Sequence, residues 1–266
     1  MQPMANMALR AARKAALRIT QAFDRPDLIK VSSKGQNDYV TNIDKDVQYI
    51  IISELKNAFP THSFRGEEDQ SNITQPGSEY EWIIDPIDGT TNFVHNIPHF
   101  CISIACLHKG KVEHGVILGP MRQEEFVASR GKGCNVNGHR ARCGDKKSLL
   151  GALIGMGGTE PQFSEQQGAV YQQMLNENAT VRSAGSAALD LAYVAAGRLD
   201  GLWFQGLSIW DMAAGALMIQ ETGGLLGDFD GGAKHLQSGN IVAGSPKVFR
   251  GLAPIVKKSF AASQSA

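Results

Sequence analysis

The chain has 266 residues, 42% of them hydrophobic and 20% charged, an ordinary globular composition that excludes a disordered or fibrous protein. Its 26 Lys and Arg balance 26 Asp and Glu, so no global basic field points to a nucleic-acid partner. Cores stop growing at roughly 250–300 residues, and residues 1–266 are read as one domain, with a change of sheet near residue 150 that would give it two lobes.

Met4, Met7, Ala8, Ala11, Ala12, Ala15, Ala16, Ile19 and Phe23 recur at helical spacing and predict a helix over 3–23 with Pro3 in its first turn. Arg10, Arg13, Lys14 and Arg18 fall largely off that stripe and read as a solvated polar face; a basic docking face is the alternative. The segment lacks the apolar core of a signal peptide, and no apolar run nears the ~20 residues of a membrane span, so a cytoplasmic protein without a membrane partner is expected. A second helix is predicted after Asp44, striped by Val47, Ile50, Ile51, Leu55 and Phe59 and stopped by Pro60. Residues 62–66 read as a strand end that delivers Glu67 and Glu68.

Next comes Trp82-Ile83-Ile84-Asp85-Pro86-Ile87-Asp88-Gly89-Thr90-Thr91-Asn92-Phe93, the most informative stretch. The apolar run predicts a buried strand that stops at Pro86 and leaves Asp85 and Asp88 at its C-terminal end. Hard divalent cations want clustered oxygens of this kind, and the bend at Ile87 could add a backbone carbonyl. Gly89 and Thr90 offer amides and a hydroxyl suited to phosphate. A lone pair of aspartates at this spacing is more often a capped turn; the longer string is far more specific. Residues 1–34 carry a net charge of +5, whereas residues 35–100, which hold this string, carry −8, in keeping with a cation site.

Periodicity then changes. Cys101–Leu107, Val112–Leu118 and Glu125–Ala128 predict a meander with a tight turn over 108–111, hence a largely antiparallel sheet. Alternating elements follow: strands over 151–156, 201–204, 225–229 and 240–243, and helices over 162–176, 186–196, 211–221 and from Pro246, with 261–266 frayed. Cys101, Cys106, Cys134 and Cys143 show no C-x-x-C pairing and read as reduced thiols.

Four motifs in order carry a resemblance to a known family. They are Thr41-Asn42-Ile43-Asp44, Gly66-Glu67-Glu68, the Asp85–Phe93 string, and Trp210-Asp211-Met212-Ala213-Ala214-Gly215. From about residue 3 to about residue 260 the chain resembles the inositol monophosphatase family of magnesium-dependent, lithium-sensitive phosphatases. Its opening looks most like a bacterial branch associated with ribosomal-RNA transcription antitermination. The resemblance implies a five-layer αβαβα sandwich, an α/β fold that this order of elements fits. It implies one Mg2+ on Glu67, Asp85 and the Ile87 carbonyl, and a second on Asp85, Asp88 and Asp211. A third, weaker ion would be reached from Glu67 through water. Asp44 and Thr90 would address the attacking water, Glu68 would orient or deprotonate water near Glu67, and phosphate would rest on the Gly89 and Thr90 amides.

On the alcohol side, Gly185-Ser186-Ala187 matches a small segment that lines the family's polyol pocket, and Arg182 precedes it where the family has an arginine near a dimer interface. The chain departs from the pattern seven residues before Asp211, where many members carry a glutamate that hydrogen-bonds inositol hydroxyls. Phe204 stands there, followed by Gln205, which could substitute only if the strand shifted by one residue. Gly155-Met156-Gly157-Gly158 also departs, again at the pocket rim. The implied activity is Mg2+-dependent hydrolysis of inositol 1-phosphate or a similar polyol or sugar monophosphate by a homodimer. The alternative is a binding protein that acts in antitermination through RNA polymerase or elongation factors.

Overall fold

The computed structural model describes residues 2–35, 38–68, 72–158 and 161–261. Helix α1 (Pro3–Phe23) and α2 (Asn42–Ala58) flank a hairpin of β1 (Val31–Gly35) and β2 (Asp38–Thr41). Strands β3 (Ser63–Gly66), β4 (Tyr80–Asp88), β5 (Cys101–His108), β6 (Lys111–Gly119), β7 (Glu124–Ser129), β8 (Gly133–Val136) and β9 (His139–Arg140) form one sheet in that order. Only the β3–β4 pair is parallel. The short helix α3 (Thr90–Val94) follows β4.

A second sheet has the order β11 (Thr180–Arg182), β10 (Leu153–Gly157), β12 (Gly201–Phe204), β14 (Ile241–Gly244), β13 (Leu225–Gly227). Its remaining connections run through α4 (Ser164–Asn176), α5 (Ala187–Ala195), α6 (Ile209–Glu221), α7 (His235–Ser238) and α8 (Pro246–Ala261). The first sheet ends at Arg140 and the second begins with Leu153 in sequence.

Side-chain alternation along the strands sets the layers. On β4, Trp82 and Ile84 face α1 and α2, and the buried alanines of α1 let that helix lie close; Ile83 faces the other way, against α5 and α6. On β12, Leu202 and Phe204 meet α5 and α6 from the opposite side, and Trp203 points outward to α4 and α8. Three apolar clusters therefore separate five layers, helix–sheet–helix–sheet–helix, as the resemblance implies. The middle helices are buried on both sides, which explains why α5 and α6 are nearly free of charge. Their exceptions are Asp190, Asp211 and, at the C-terminal end of α6, Glu221.

Three readings of the sequence need correction. Strand β4 does not stop at Pro86 but runs to Asp88 through an irregularity: Asp85 pairs with Ser103, and Asp88 with Cys101. Pro86 lacks only a donor, and the extra residue there absorbs its missing bond. Helix α2 starts at Asn42, before Asp44, because Thr41 is its N-cap. Strands β1, β2, β8, β9 and β11 are not foreseen by the pattern; each is short and lacks a clear alternation. The final residues 262–266 lie outside the described part of the chain.

On α1 three of the four basic residues, all but Arg10, are engaged. Arg13 pairs with Glu125 at 2.6 Å, Lys14 with Glu54 at 2.5 Å and Arg18 with Asp46 at 3.0 Å. That face is a neutralised surface, not a bare cationic stripe. No helix among the described residues is long and apolar enough to cross a membrane.

Candidate active site

The irregularity in β4 is what builds the site. In a regular strand, residues three apart point to opposite faces; the extra residue between Asp85 and Asp88 resets the alternation and brings both carboxylates to one side. The apolar clusters record the flip, since Ile83 packs toward the middle helices and Ile87 toward the outer ones. Asp211 joins them from the first turn of α6, and one carboxylate oxygen from each of Asp85, Asp88 and Asp211 lies within 4.8 Å of the others.

Each of these groups is fixed from behind. The Ser208 amide donates to Asp211 at 2.8 Å, closing a capping box at the start of α6. The Ser186 hydroxyl donates to Asp88 Oδ2 at 2.5 Å, and the Ala188 and Ala187 amides donate to the same carboxylate at 2.8 and 3.3 Å. The Ile87 amide donates to Asp85 Oδ1 at 3.0 Å. The Ser103 hydroxyl, opposite Asp85 on β5, donates to the Trp210 carbonyl at 2.9 Å and ties α6 to the sheet.

Glu67 follows directly on β3, whose parallel register with β4 sets Gly66 beside Ile84; the Glu67 amide donates to the Ile84 carbonyl at 3.0 Å. Its carboxylate charge bears on Asp85 and Asp211. Glu68 is buried, its backbone gripped at both ends by the Gln48 side-chain amide: the Glu68 N–H donates to Gln48 Oε1 at 3.0 Å, and Gln48 Nε2 donates to the Glu68 carbonyl.

Asp44, 1% exposed, completes a capping box with Thr41: its Oδ2 accepts from the Thr41 amide at 2.8 Å and hydroxyl at 2.5 Å. Its Oδ1 lies 3.3 Å from Thr90 Oγ1, which also donates to the Ile87 carbonyl at 2.9 Å. The Ile87 carbonyl is thus turned toward the Thr90 side chain. At Gly89, φ is +98°, and a Cβ would stand 3.0 Å from the Gly185 carbonyl and 3.2 Å from that of His99, so only glycine lets the loop pass.

Asp44, Asp85, Asp88 and Asp211 form no ion pair with any basic residue among the described ones, and the electrostatics show it. Burial pushes Asp85 well above the usual carboxylate range, with Glu67, Asp88 and Asp211 adding to it. Burial also raises Asp88, against the Ser186 and backbone donors that favour its ionised form. Asp211 is pushed up to about 8, by burial and then by Asp88. Asp44 is pushed up to about 6, by burial foremost. Buried oxygens, all hard, held in place and repelling one another, fit a divalent cation of the Mg2+ kind.

This arrangement gives stability a definite pH dependence. With Asp211 near 8 in the fold and 3.8 as its ordinary value, the folded chain holds a proton that the unfolded chain has released. Its contribution is fully present below about pH 4 and lost as pH rises through 8. Without divalent cation, the melting temperature is expected to fall on going from pH ~5 to pH ~8.5. Saturating Mg2+ at pH ~8.5 should restore about 2.7 kcal/mol at a concentration 100 times its Kd. A melting temperature that ignores both pH and Mg2+ would speak against the cluster.

Beside Asp88 opens a cavity of about 230 Å³ whose lining includes Gly185, Ala187, Met156, Phe204, Gln205 and Leu207. Ser186 is not part of that lining; its hydroxyl faces Asp88. Strand β12 pairs in regular register through Phe204, so no shift puts Gln205 in its place. Arg182 lies on β11, at the edge of the second sheet.

Three contributors are absent from the sequence-based site. Thr41 is one, because Asp44 read alone looks like a cap in its own right; the Thr41…Asp44 spacing, a capping-box pattern, is the signal that finds it. Asn92 donates to the His99 carbonyl at 2.7 Å and the Ala184 carbonyl at 2.9 Å, clamping the signature loop to the start of α5. Gln48 carries no local signal at all.

Comparison with known proteins supplies an independent finding. The Inositol monophosphatase family profile matches residues 1–260. The chain is 49% identical over 257 residues to the Nus factor SuhB of Pseudomonas aeruginosa and 44% identical over 256 residues to that of Escherichia coli K12, covering 95% of both chains in each case. Among solved structures it superposes on the extragenic suppressor protein suhB of Bartonella henselae with a TM-score of 0.94 at 38% identity, over 97% of this chain and 99% of that one. An IMPase of Thermotoga maritima gives 0.87 at 31% identity, over 97% and 98%.

Proposed function

This chain belongs to the inositol monophosphatase family, and on that premise we propose that it hydrolyses small phosphate monoesters with the help of two Mg2+ ions. The observation that carries the proposal is the gathering of one carboxylate oxygen each from Asp85, Asp88 and Asp211 within 4.8 Å, without a basic partner among the described residues. Glu67, Asp85 and the Ile87 carbonyl would hold one ion, and Asp85, Asp88 and Asp211 the other, with a weaker third reached from Glu67 through water. The Ile87 oxygen accepts from Thr90 and keeps a second lone pair for this purpose. Bound Mg2+ would supply the charge that neutralises the phosphoryl oxygens, acidifies the attacking water and stabilises the leaving alkoxide.

The chain's own groups do the rest. The Gly89 and Thr90 amides at the start of α3 receive phosphate oxygens. Asp44, anchored on one oxygen by Thr41, turns its other oxygen to Thr90 and takes the proton of the attacking water, which Thr90 orients. Glu68, held by Gln48, orients water near Glu67. Gly185 and Ala187 border the alcohol of the ester, and Ser186 keeps Asp88 in place. A homodimer with Arg182 near its interface and a cytoplasmic location complete the reading.

The test is phosphate release by purified protein from inositol 1-phosphate, 2-glycerophosphate, a nucleoside 2′-phosphate, 3′-phosphoadenosine 5′-phosphate and fructose 1,6-bisphosphate, with and without Mg2+ and with Li+. Release from a monoester that needs Mg2+ and is inhibited by Li+ is expected. No release from any ester, by folded protein that binds Mg2+, would refute it.

A second reading comes from the relatives themselves, two of which are named Nus factors at 49% and 44% identity. This chain would then also serve ribosomal-RNA transcription antitermination, through RNA polymerase or elongation factors. Because Arg13, Lys14 and Arg18 on α1 are ion-paired, a bare cationic stripe on that helix is not its means of contact.

A further inference from the structure

The cavity beside Asp88 joins two features of the sequence that look separate. Gly157 on β10 and Phe204 on β12 are register partners, and a Cβ on Gly157 would fall inside the Phe204 ring. The phenylalanine can occupy the cavity wall only because its neighbour has no side chain. Next to it, Gln205 is held in a buried chain of amides. The Trp203 indole N–H donates to Gln167 Oε1 at 2.6 Å, and Gln167 Nε2 donates to Gln205 Oε1 at 3.3 Å. With its carbonyl oxygen engaged, Gln205 offers the cavity a donor.

The larger side chains of the wall are therefore Phe204, Met156, Leu207 and the amide of Gln205; Ser183 adds one hydroxyl residue, and the rest is glycine and alanine beside Asp88. None of the lining residues is Lys, Arg or His, and the one charged member, Asp88, belongs to the carboxylate cluster. A second phosphate or a carboxylate on the alcohol would find no counter-charge there. Hydroxyls turned to Phe204 would leave water without a replacement partner. The volume, about 230 Å³, is below the ~300–1,000 Å³ of sites that enclose drug-sized ligands, so there is room for one ring.

We propose that Phe204, seated over Gly157, makes this site select phosphate monoesters of a single uncharged ring with an apolar face over those of a fully hydroxylated ring. The inference rests on the phosphatase reading. The alcohol lies with its apolar face on Phe204, and any acceptor it carries meets Gln205. Phe204 acts on specificity alone and holds no reacting atom.

Cyclohexyl phosphate and inositol 1-phosphate form a matched pair that differs only in ring hydroxyls, and 2-glycerophosphate reports hydrolysis without a ring. The kcat/KM for cyclohexyl phosphate should exceed that for inositol 1-phosphate by about 10–100-fold, the range over which an apolar pocket rejects added hydroxyls. Phe204→Glu, with folding checked by its melting curve, should cut that ratio at least ~10-fold, and Phe204→Leu should keep its direction. Should Phe204→Glu not fold, product inhibition of the parent protein decides: cyclohexanol must inhibit at lower concentration than inositol. A parent that prefers inositol 1-phosphate, or a folded Phe204→Glu with an unaltered ratio, overturns the inference while 2-glycerophosphate turnover leaves the phosphatase standing. Silence on all three esters removes this inference, and silence on the rest of the panel as well removes the phosphatase reading.

Discussion

Asp88→Asn is expected to lower Mg2+-dependent phosphate release by about 10³-fold while the protein stays folded, because a metal clamp on the phosphoryl group supplies several kcal/mol of barrier lowering. Asparagine matches the volume of aspartate but carries one oxygen in place of two. In the parent, the Ser186 hydroxyl and the Ala187 and Ala188 amides all donate to this carboxylate. The variant's NH2 would meet one of those donors, so some stability is lost locally even as a buried charge is removed. Parental turnover by Asp88→Asn would mean that this carboxylate holds no ion. The same variant divides the two readings of function, since association with transcription proteins should survive it. If association falls together with turnover, in a folded variant, the two activities share the site.

Asp44→Asn should lower kcat by about 10²–10⁴-fold, the usual contribution of a general base, with little change in KM. The side chain touches neither Asp85, Asp88 nor Asp211 through any hydrogen bond, and Thr41 would still hold it, so the variant should bind Mg2+ normally. A rise in KM with kcat preserved would instead place Asp44 in substrate binding. Stopped assays at several Mg2+ concentrations separate these outcomes.

Much of this site is legible in the amino-acid sequence because its residues sit in short, dense strings. Asp85, Asp88, Gly89 and Thr90 lie within six positions, and spacing alone suggests oxygen ligands beside an anion-binding turn. Asp211 and Asp44, far away in sequence, come only through the family resemblance. Nothing local says that the carboxylates of residues 123 positions apart, Asp88 and Asp211, meet in one cluster. The irregularity in β4 is hidden for a different reason. Proline after an apolar run usually ends a strand, and whether it does so or is absorbed depends on the partner strand, here β5, which is a long-range matter. The outer helices are readable from their stripes. Strand β11, three residues long and without alternation, is not. Phe204 stands out as a departure in the sequence, but its pairing with Gly157 needs the register of β10 on β12.

The distribution of the cluster over the chain has a consequence for biosynthesis. A ribosome making this protein exposes Asp44, Glu67, Asp85 and Asp88 well before Asp211, which closes the group from the last quarter of the sequence. Until α6 is released and docks between the two sheets, the acidic half-site faces solvent, keeps ordinary acidity and has no reason to retain Mg2+. On the two-metal reading proposed above, cation capture would be the last event of maturation. Chains truncated before α6 should be separable from finished ones by their failure to respond to Mg2+ at all.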